Sequence, residues 1–345
     1  MPPAFRCARR LAAVVLFVAS VFGVCGPRSS PLDIAGHPYS LIAADGDALC
    51  AVHDPSIAEE DGIQYVFSTD TASPPAPPFL RVRVSNDSMT TWSTGGAIFD
   101  RIPAWALTLV PAATNMWAPD VSFFSGRWHI YYAVSSFGSE TSVIGLVTTP
   151  TLRDPVWSDE GLVVKSDASS GFNAIDPNLV VDDANLWLVF GSFWSGIYGV
   201  RIDAESGTVD PRNSTVVHLA ERSAPDALEG AFLFRREADF WLFASFDACC
   251  RGVHSTYNVR VGRASSVEGP FVDREGVAML NGGGTHLIGG GFGWAAGGGQ
   301  SILRSSASSS VTTMVLHAYD NVTGAPFLNI VDLVWNASDG WPEVA

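Results

Sequence analysis

Five segments of this chain share one plan, and their spacing restricts the fold more than any other feature. Each opens on a polar residue beside Pro or Gly, runs through a short apolar strand and a turn, and ends in an aromatic-rich strand closing on Ser, Thr or His. The first is His53-Asp54-Pro55-Ser56-Ile57, followed by Tyr65-Val66-Phe67-Ser68. The second is Trp117-Ala118-Pro119-Asp120-Val121, followed by Trp128-His129-Ile130-Tyr131-Tyr132. The third is Ile175-Asp176-Pro177-Asn178-Leu179, followed by Trp187 to Ser192; the fourth is Leu228-Glu229-Gly230-Ala231-Phe232, followed by Trp241 to Ser245. The fifth is Gly299-Gln300-Ser301-Ile302, a serine-rich turn, then Thr313 to His317. The lead positions 54, 120, 176, 229 and 300 lie 66, 56, 53 and 71 residues apart. Four strands of about 5–6 residues with their turns fill such a unit. A period near 60 predicts an all-β fold, a single-domain five-bladed β-propeller with blades around a central channel.

Composition agrees. The chain is 47% hydrophobic with 33 Gly and 21 Pro, which excludes a disordered chain and a coiled coil. A formal charge of -15 argues against a nucleic-acid partner.

In a propeller the innermost strands line the axis. Asp54, Asp120, Asp176 and Glu229, each at the start of one, are therefore expected on a ring at one mouth of the channel. Carboxylates gathered there repel and raise one another's pKa, which costs stability and favours a functional role. Two carboxyl groups of different pKa across a cleft are the minimum for glycosidic hydrolysis, one protonating the leaving oxygen and the other activating water. Trp117, Phe193 and Trp194 stand where they could stack on sugar rings. For a single Asp-Pro the bland reading is a turn cap; three at matching positions weaken it.

Arg6, Arg9 and Arg10 precede an apolar run from Leu11 to about Cys25, the pattern of a secretory signal peptide over residues 1–25. The run is short for a membrane span of roughly 20 residues, so the expectation is a secreted, extracellular protein with no membrane association. Loss of those three arginines takes the charge from -15 to about -18. Residues 26–345 are read as one propeller domain, expected to be a monomer. Sequons begin at Asn86, Asn213, Asn321 and Asn336. With Cys7 and Cys25 assigned to the leader, Cys50, Cys249 and Cys250 remain. An odd count leaves one thiol over; either Cys249 and Cys250 pair, or Cys50 bridges to one of them.

The motifs carry a specific resemblance. His53-Asp54-Pro55-Ser56, Trp117-Ala118-Pro119-Asp120-Val121, Asn173-Ala174-Ile175-Asp176-Pro177, Ser192-Phe193-Trp194-Ser195-Gly196 and Glu229-Gly230-Ala231 resemble family 43 glycoside hydrolases, above all the secreted endo-α-1,5-L-arabinanases. So do Cys249-Cys250-Arg251-Gly252, Ser255-Thr256-Tyr257, Val261-Gly262-Arg263-Ala264, Glu268-Gly269-Pro270-Phe271, Gly284-Thr285-His286 and His317-Ala318-Tyr319-Asp320. Nearly the whole chain after the leader is covered.

The resemblance implies an inverting enzyme acting on linear arabinan, with Asp54 as general base, Glu229 as general acid, and Asp176 raising the pKa of Glu229 and orienting it. It implies substrate contacts from Asn173, Ser192, Phe193 and Trp194, with Gly138 as a further candidate. His317 is implied to help hold a calcium ion near the axis through water, since calcium prefers oxygen ligands; no cofactor is implied for the chemistry. His286 and Gln300 are candidates for minor polar roles, and Asp120 for a structural one, capping turns near the ring. The run Gly297-Gly298-Gly299-Gln300 departs from relatives that carry a Pro. Alternatives on the same fold are an exo-acting arabinofuranosidase or β-xylosidase, and a non-catalytic sugar-binding propeller. The absence of a following β-sandwich domain favours endo action, and the presence of all three acids favours an enzyme.

Overall fold

The computed structural model describes residues 42–43, 48–70, 77–183, 185–192, 194–223, 225–304 and 311–345. The expected signal peptide, the serine-rich turn at 305–310 and Phe193 lie outside them. The described strands form five sheets, antiparallel except where the short strand Ile42–Ala43 pairs in parallel with Thr91–Phe99 at the outer edge of the first; apart from that strand, each sheet is made in chain order from the inside outward. Their innermost strands are Val52–Glu60, Asn115–Phe124, Asn178–Asp182, Leu228–Arg236 and Trp294–Ile302. Each touches the next around the axis, and the fifth touches the first, so the ring is closed. This is the five-bladed propeller expected from the period.

Second strands such as Arg127–Ser135 and Asp239–Phe246 are buried almost end to end. Neighbouring blades cover both of their faces, which is why these segments read as continuous apolar runs rather than alternating ones. The outermost strand Ser158–Ser166 is largely exposed. The core is accordingly divided into wedges between blades. Phe67 and Tyr132 fill the first joint, Tyr131 and Phe190 the second, Trp187 and Leu242 the third, Trp241 and Met314 the fourth. The fifth wedge packs Trp92 against Val315 and Leu328. There Leu49 accepts a backbone hydrogen bond from Leu328 at 2.9 Å, tying the entry of the first blade to the last. Asp61-Gly62 and Ser125-Gly126 both have positive φ at two successive residues, the requirement of two-residue hairpin turns.

At the same mouth each inner strand carries, within it or just ahead of it, a residue in the left-handed region: Asp54 (φ 47), Ala118 (φ 43), Asp176 (φ 54), Gly230 (φ 57) and Gly299 (φ 58). In four blades a bulge in the pairing sits at this point. These are the equivalent positions, and the lead residues of the sequence pattern are not all in register with them. Asp54 and Asp176 match each other. Glu229 lies one residue before its blade's left-handed residue, Gln300 one after, and Asp120 two after.

The bulges expose backbone N–H groups, and side chains of adjoining blades take them up. Two positions beyond the left-handed residue, Ser56 accepts from Val121 N–H (3.0 Å), Asp120 from Leu179 (2.9 Å), Asn178 from Leu233 (2.8 Å) and Ser301 from Ile57 (3.3 Å). Leaving such a buried donor unpaired costs about 1–3 kcal/mol. Blade four has Phe232 at this position, and the Arg304 guanidinium packs over its ring, 4.9 Å from the centroid. Arg304 also donates to Val121 O (2.7 Å) and Leu179 O (2.9 Å) and pairs with Asp120 at 3.3 Å. Asp120 therefore fastens blades to one another rather than capping its own turn.

Candidate active site

The mouth of the axis gathers three carboxyl groups from three blades. Asp54 Oδ2 accepts from Thr69 Oγ1 at 2.8 Å, and its backbone N–H donates to His317 Nδ1 at 3.1 Å. Asp176 Oδ2 accepts from the backbone N–H of Gly230 at 3.0 Å, which brings it against the residue next to Glu229. Glu229 Oε1 accepts from the Tyr257 hydroxyl at 3.2 Å. Among the described residues no Lys or Arg forms an ion pair with any of the three. Beneath them lies a cavity of about 30 Å³ lined by positions 54–56, 118–120, 176–178, 230–232 and 299–301. That is space for a water or two and not for a sugar ring, which suits a polymer lying across the mouth.

Burial without a counter-cation disfavours the charged forms. The Asp54 carboxyl is pushed up to about 6 by burial, against the opposing Thr69 hydrogen bond. It is walled by protein yet keeps 30% of its side-chain surface, open to the mouth. Glu229 is pushed up to about 7 by burial and by repulsion from Asp54, against the Tyr257 hydroxyl. Asp176 is raised well above the usual carboxylate range by burial, then by Glu229 and Asp54.

A second set of joints supports this mouth. The N–H of the left-handed residue is capped by the end of the preceding blade's second strand: Thr69 Oγ1 takes Ala118 N–H (2.7 Å), Ser245 Oγ takes Gly299 (2.8 Å) and His317 Nδ1 takes Asp54. In the third blade that place is Gly191, where a Cβ would stand 2.2 Å from Gly196 O, and Asp176 itself serves Gly230. The sequence assigns no site role to Thr69, Ser245 or Tyr257, although Tyr257 closes the string Ser255-Thr256-Tyr257. The signal for the first two was present, in second strands that end on Ser, Thr or His. Gln300 bridges Gly230 O (2.7 Å) and Ser245 Oγ (2.9 Å), a scaffold role in place of a minor polar one.

The glycine run belongs to a strand, Trp294–Ile302, and packing explains it. A Cβ on Gly298 would meet the Tyr257 ring at 2.3 Å, and one on Gly299 would meet Asp54 Oδ1 at 2.7 Å and His317 Nδ1 at 2.8 Å.

Asn173 and Ser192 are buried and bonded together, Asn173 Nδ2 donating to Ser192 Oγ at 3.0 Å and its Oδ1 accepting from Ser142 at 2.6 Å. Trp194 is 43% exposed on the loop that follows Ser192, at the same mouth. Gly138 occupies a left-handed turn position (φ 78) at that mouth, with open space where a Cβ would point. His286 lies in an outermost strand, Thr285–Ile288, away from the axis. Cys249 and Cys250 form a disulfide with each other, and Cys50 is also disulfide-bonded, so no thiol is left over among the described cysteines.

His317 is buried, and burial with the neighbouring His53 holds its pKa well below the usual histidine value. It is neutral, and because Nδ1 accepts from Asp54, Nε2 carries the proton. That nitrogen is a donor and has no hydrogen-bond partner among the described residues. A proton-bearing nitrogen does not fit a calcium ligand, nor an acceptor for a calcium-bound water, and among the described residues no three His, Cys, Asp or Glu side chains are grouped to hold a metal. His317 acts here as the backbone cap of Asp54.

Comparison with known proteins agrees with this geometry. The chain is 41% identical over 295 residues to the extracellular endo-α-(1→5)-L-arabinanase 1 of Bacillus subtilis, covering 85% of this chain and 87% of the relative. It is 33% identical to the extracellular exo-α-(1→5)-L-arabinofuranosidase ArbA of Cellvibrio japonicus, over 85% of this chain and 86% of that one. Among solved structures, the endo-arabinanase of Bacillus licheniformis superposes with a TM-score of 0.78 at 39% identity, over 88% of this chain and 99% of the other. The sequence profile of glycosyl hydrolases family 43 matches residues 50–342, and the chain belongs to that family.

Proposed function

We propose that this chain is a secreted, monomeric hydrolase that makes internal cuts in linear α-1,5-L-arabinan with inversion. Asp54 is the general base, Glu229 the general acid, and Asp176 the group that keeps Glu229 protonated and oriented. The observation that carries this reading is three carboxyl groups without a counter-cation, facing a plugged axis and shifted upward together. Such groups titrate as a set. Glu229 and Asp54, while ionised, push Asp176 toward the neutral form, and Asp54 does the same to Glu229, so the set retains protons near neutral pH.

The proton passes from Glu229 to the glycosidic oxygen, which keeps the bonding electrons as its bond to C1 breaks. Water attacks C1 from the opposite face and gives its proton to Asp54. Trp194 offers an exposed ring for stacking on a sugar, with Asn173 and Ser192 holding its loop from below. Phe193 and Gly138 remain candidates for the same wall. Side chains and water carry the reaction as written. Secretion is supported by the leader pattern and by the extracellular relatives.

An exo-acting reading is favoured by the likeness to the Cellvibrio enzyme. A time course on linear arabinan separates the two. Mixed oligosaccharides with an early fall in viscosity support internal cutting. Release of arabinose alone supports exo action, and no product from arabinan alongside cleavage of xylan overturns both. Glu229→Gln should lower turnover on arabinan by roughly 10²–10⁴-fold without unfolding the protein; a sugar-binding propeller would lose nothing.

A further inference from the structure

One buried group that touches Glu229 has no part in the steps above. Tyr257 is 2% exposed, and its hydroxyl lies 3.2 Å from Glu229 Oε1. Its ring is held from several sides. It packs against the α-carbon of Gly298, where a Cβ would come within 2.3 Å of it, and it stacks on His317 at 5.7 Å between centroids. Its carbonyl accepts from Gly297 N–H at 3.0 Å. The loop before it is closed by Thr256 N–H on Ala248 O (2.9 Å) and by the Cys249–Cys250 disulfide, whose Cys250 N–H donates to the Tyr319 hydroxyl at 3.0 Å. This is much fixation for one hydroxyl.

We propose that Tyr257 is a positioning residue for Glu229, occupying Oε1 so that the proton to be delivered sits on Oε2. The proposal rests on the reading of Glu229 as the general acid. A phenol buried beside three carboxyl groups keeps its own proton, and burial with their charge raises it well above its ordinary value. Toward Glu229 it can therefore act only as a donor, to Oε1, with the Ser245 hydroxyl as its other side-chain partner. In the neutral acid the oxygen that accepts is the carbonyl oxygen, and the other carries the hydrogen. As that hydrogen leaves Oε2 for the glycosidic oxygen, charge builds on the carboxylate and the bond from Tyr257 strengthens. A contact that strengthens in this way lowers the barrier rather than the ground state. Tyr257 keeps its proton throughout.

Tyr257→Phe keeps the ring and removes the donor. Two substrates are compared: linear arabinan, whose leaving group must be protonated, and an arabino-oligosaccharide with a dinitrophenyl leaving group, which needs no proton. On arabinan kcat should fall roughly 10–100-fold with KM little changed, as for loss of a hydrogen bond to a charged group. On the activated substrate it should be nearly unchanged. A hydrogen bond to the carboxylate favours its charged form, so losing it should move the basic limb of the pH profile upward. Equal loss on both substrates with an unmoved limb, or no loss on either, overturns the proposal. Glu229→Gln is run on the same pair. If it shows no preference for the activated substrate, the assignment of Glu229 as acid fails, separately from Tyr257. A ring-fluorinated tyrosine at 257 strengthens the donor without altering the packing and should move the basic limb down; an unmoved limb also counts against the proposal.

Discussion

The backbone N–H of Asp54 donates to Nδ1 of His317 at 3.1 Å, across the joint where the last blade meets the first. The same strand position supplies Thr69 to Ala118 and Ser245 to Gly299. His317 therefore acts through Asp54. Its ring should be the Nε2–H tautomer and should be neutral at the ordinary histidine midpoint, because burial depresses its pKa. Nitrogen-detected NMR of the imidazole checks this, and a protonation midpoint near the ordinary histidine value would contradict it. His317→Ala leaves the Asp54 N–H unpaired at a cost of about 1–3 kcal/mol. Turnover should fall with it, since the left-handed backbone at Asp54 loses its anchor.

The pH profile follows from the shifted acids. Catalysis needs Asp54 ionised and Glu229 protonated, so activity should rise through about 6 and fall through about 7. The limbs report the set rather than single residues. A narrow bell in initial rates on arabinan is expected. A plateau extending below pH 4 would mean that the base is not in this raised environment.

Stability should run the other way. A carboxyl whose folded pKa is raised holds its proton more tightly in the folded state. Its contribution is fully present below the unfolded value, near 4, and is lost as pH rises through the folded one. For Asp54 and Glu229 that window ends at about 6 to 7. Asp176→Asn removes one of the mutually repelling charges and should raise Tm at pH 8 while abolishing most activity. The gain is roughly 2–4 °C for each kcal/mol relieved in a domain of this size. Thermal melts at pH 5 and pH 8 should differ in sign or size of the effect; a lower Tm at pH 8 would contradict the repulsion.

Asp120 provides the contrast. Its carboxylate takes Leu179 N–H, Asn178 Nδ2 and the Arg304 guanidinium while nearly fully buried. Asp120→Ala strands those partners and should cost about 3–5 kcal/mol, the range for breaking a buried ion pair from one side. Urea unfolding measures the loss. At a temperature where the variant is still folded, kcat on arabinan should stay within a few-fold of the parent. A collapse of kcat in the folded variant would place Asp120 among the reacting groups.

The fold was legible because the period of about 60 is long-range and survives in strings such as His53-Asp54-Pro55 and Ile175-Asp176-Pro177. The register within each unit was not. A bulge inserts a residue without leaving a mark in the letters, so Ala118, Gly230 and Gly299 share a backbone conformation with Asp54 and Asp176 while looking unlike them. That is why Asp120 and Gln300 align with Asp54 in the sequence pattern but not in the structure. The family strings located the acids, but neither Thr69 nor Tyr257 stands beside an acid in sequence. Their contacts exist only once strands pair and blades close. The glycines at 297–299 carry no mark of their purpose in the sequence, because what they make room for, the Tyr257 ring and the Asp54–His317 contact, is remote in the chain.

The most direct test of the central claim is proton NMR of linear α-1,5-arabinan in the first minutes of digestion by the mature protein. If Asp54 directs water to the face opposite the bond that Glu229 protonates, the new reducing ends should emerge as the β-anomer and only later equilibrate. New ends that emerge first as the α-anomer would contradict the account.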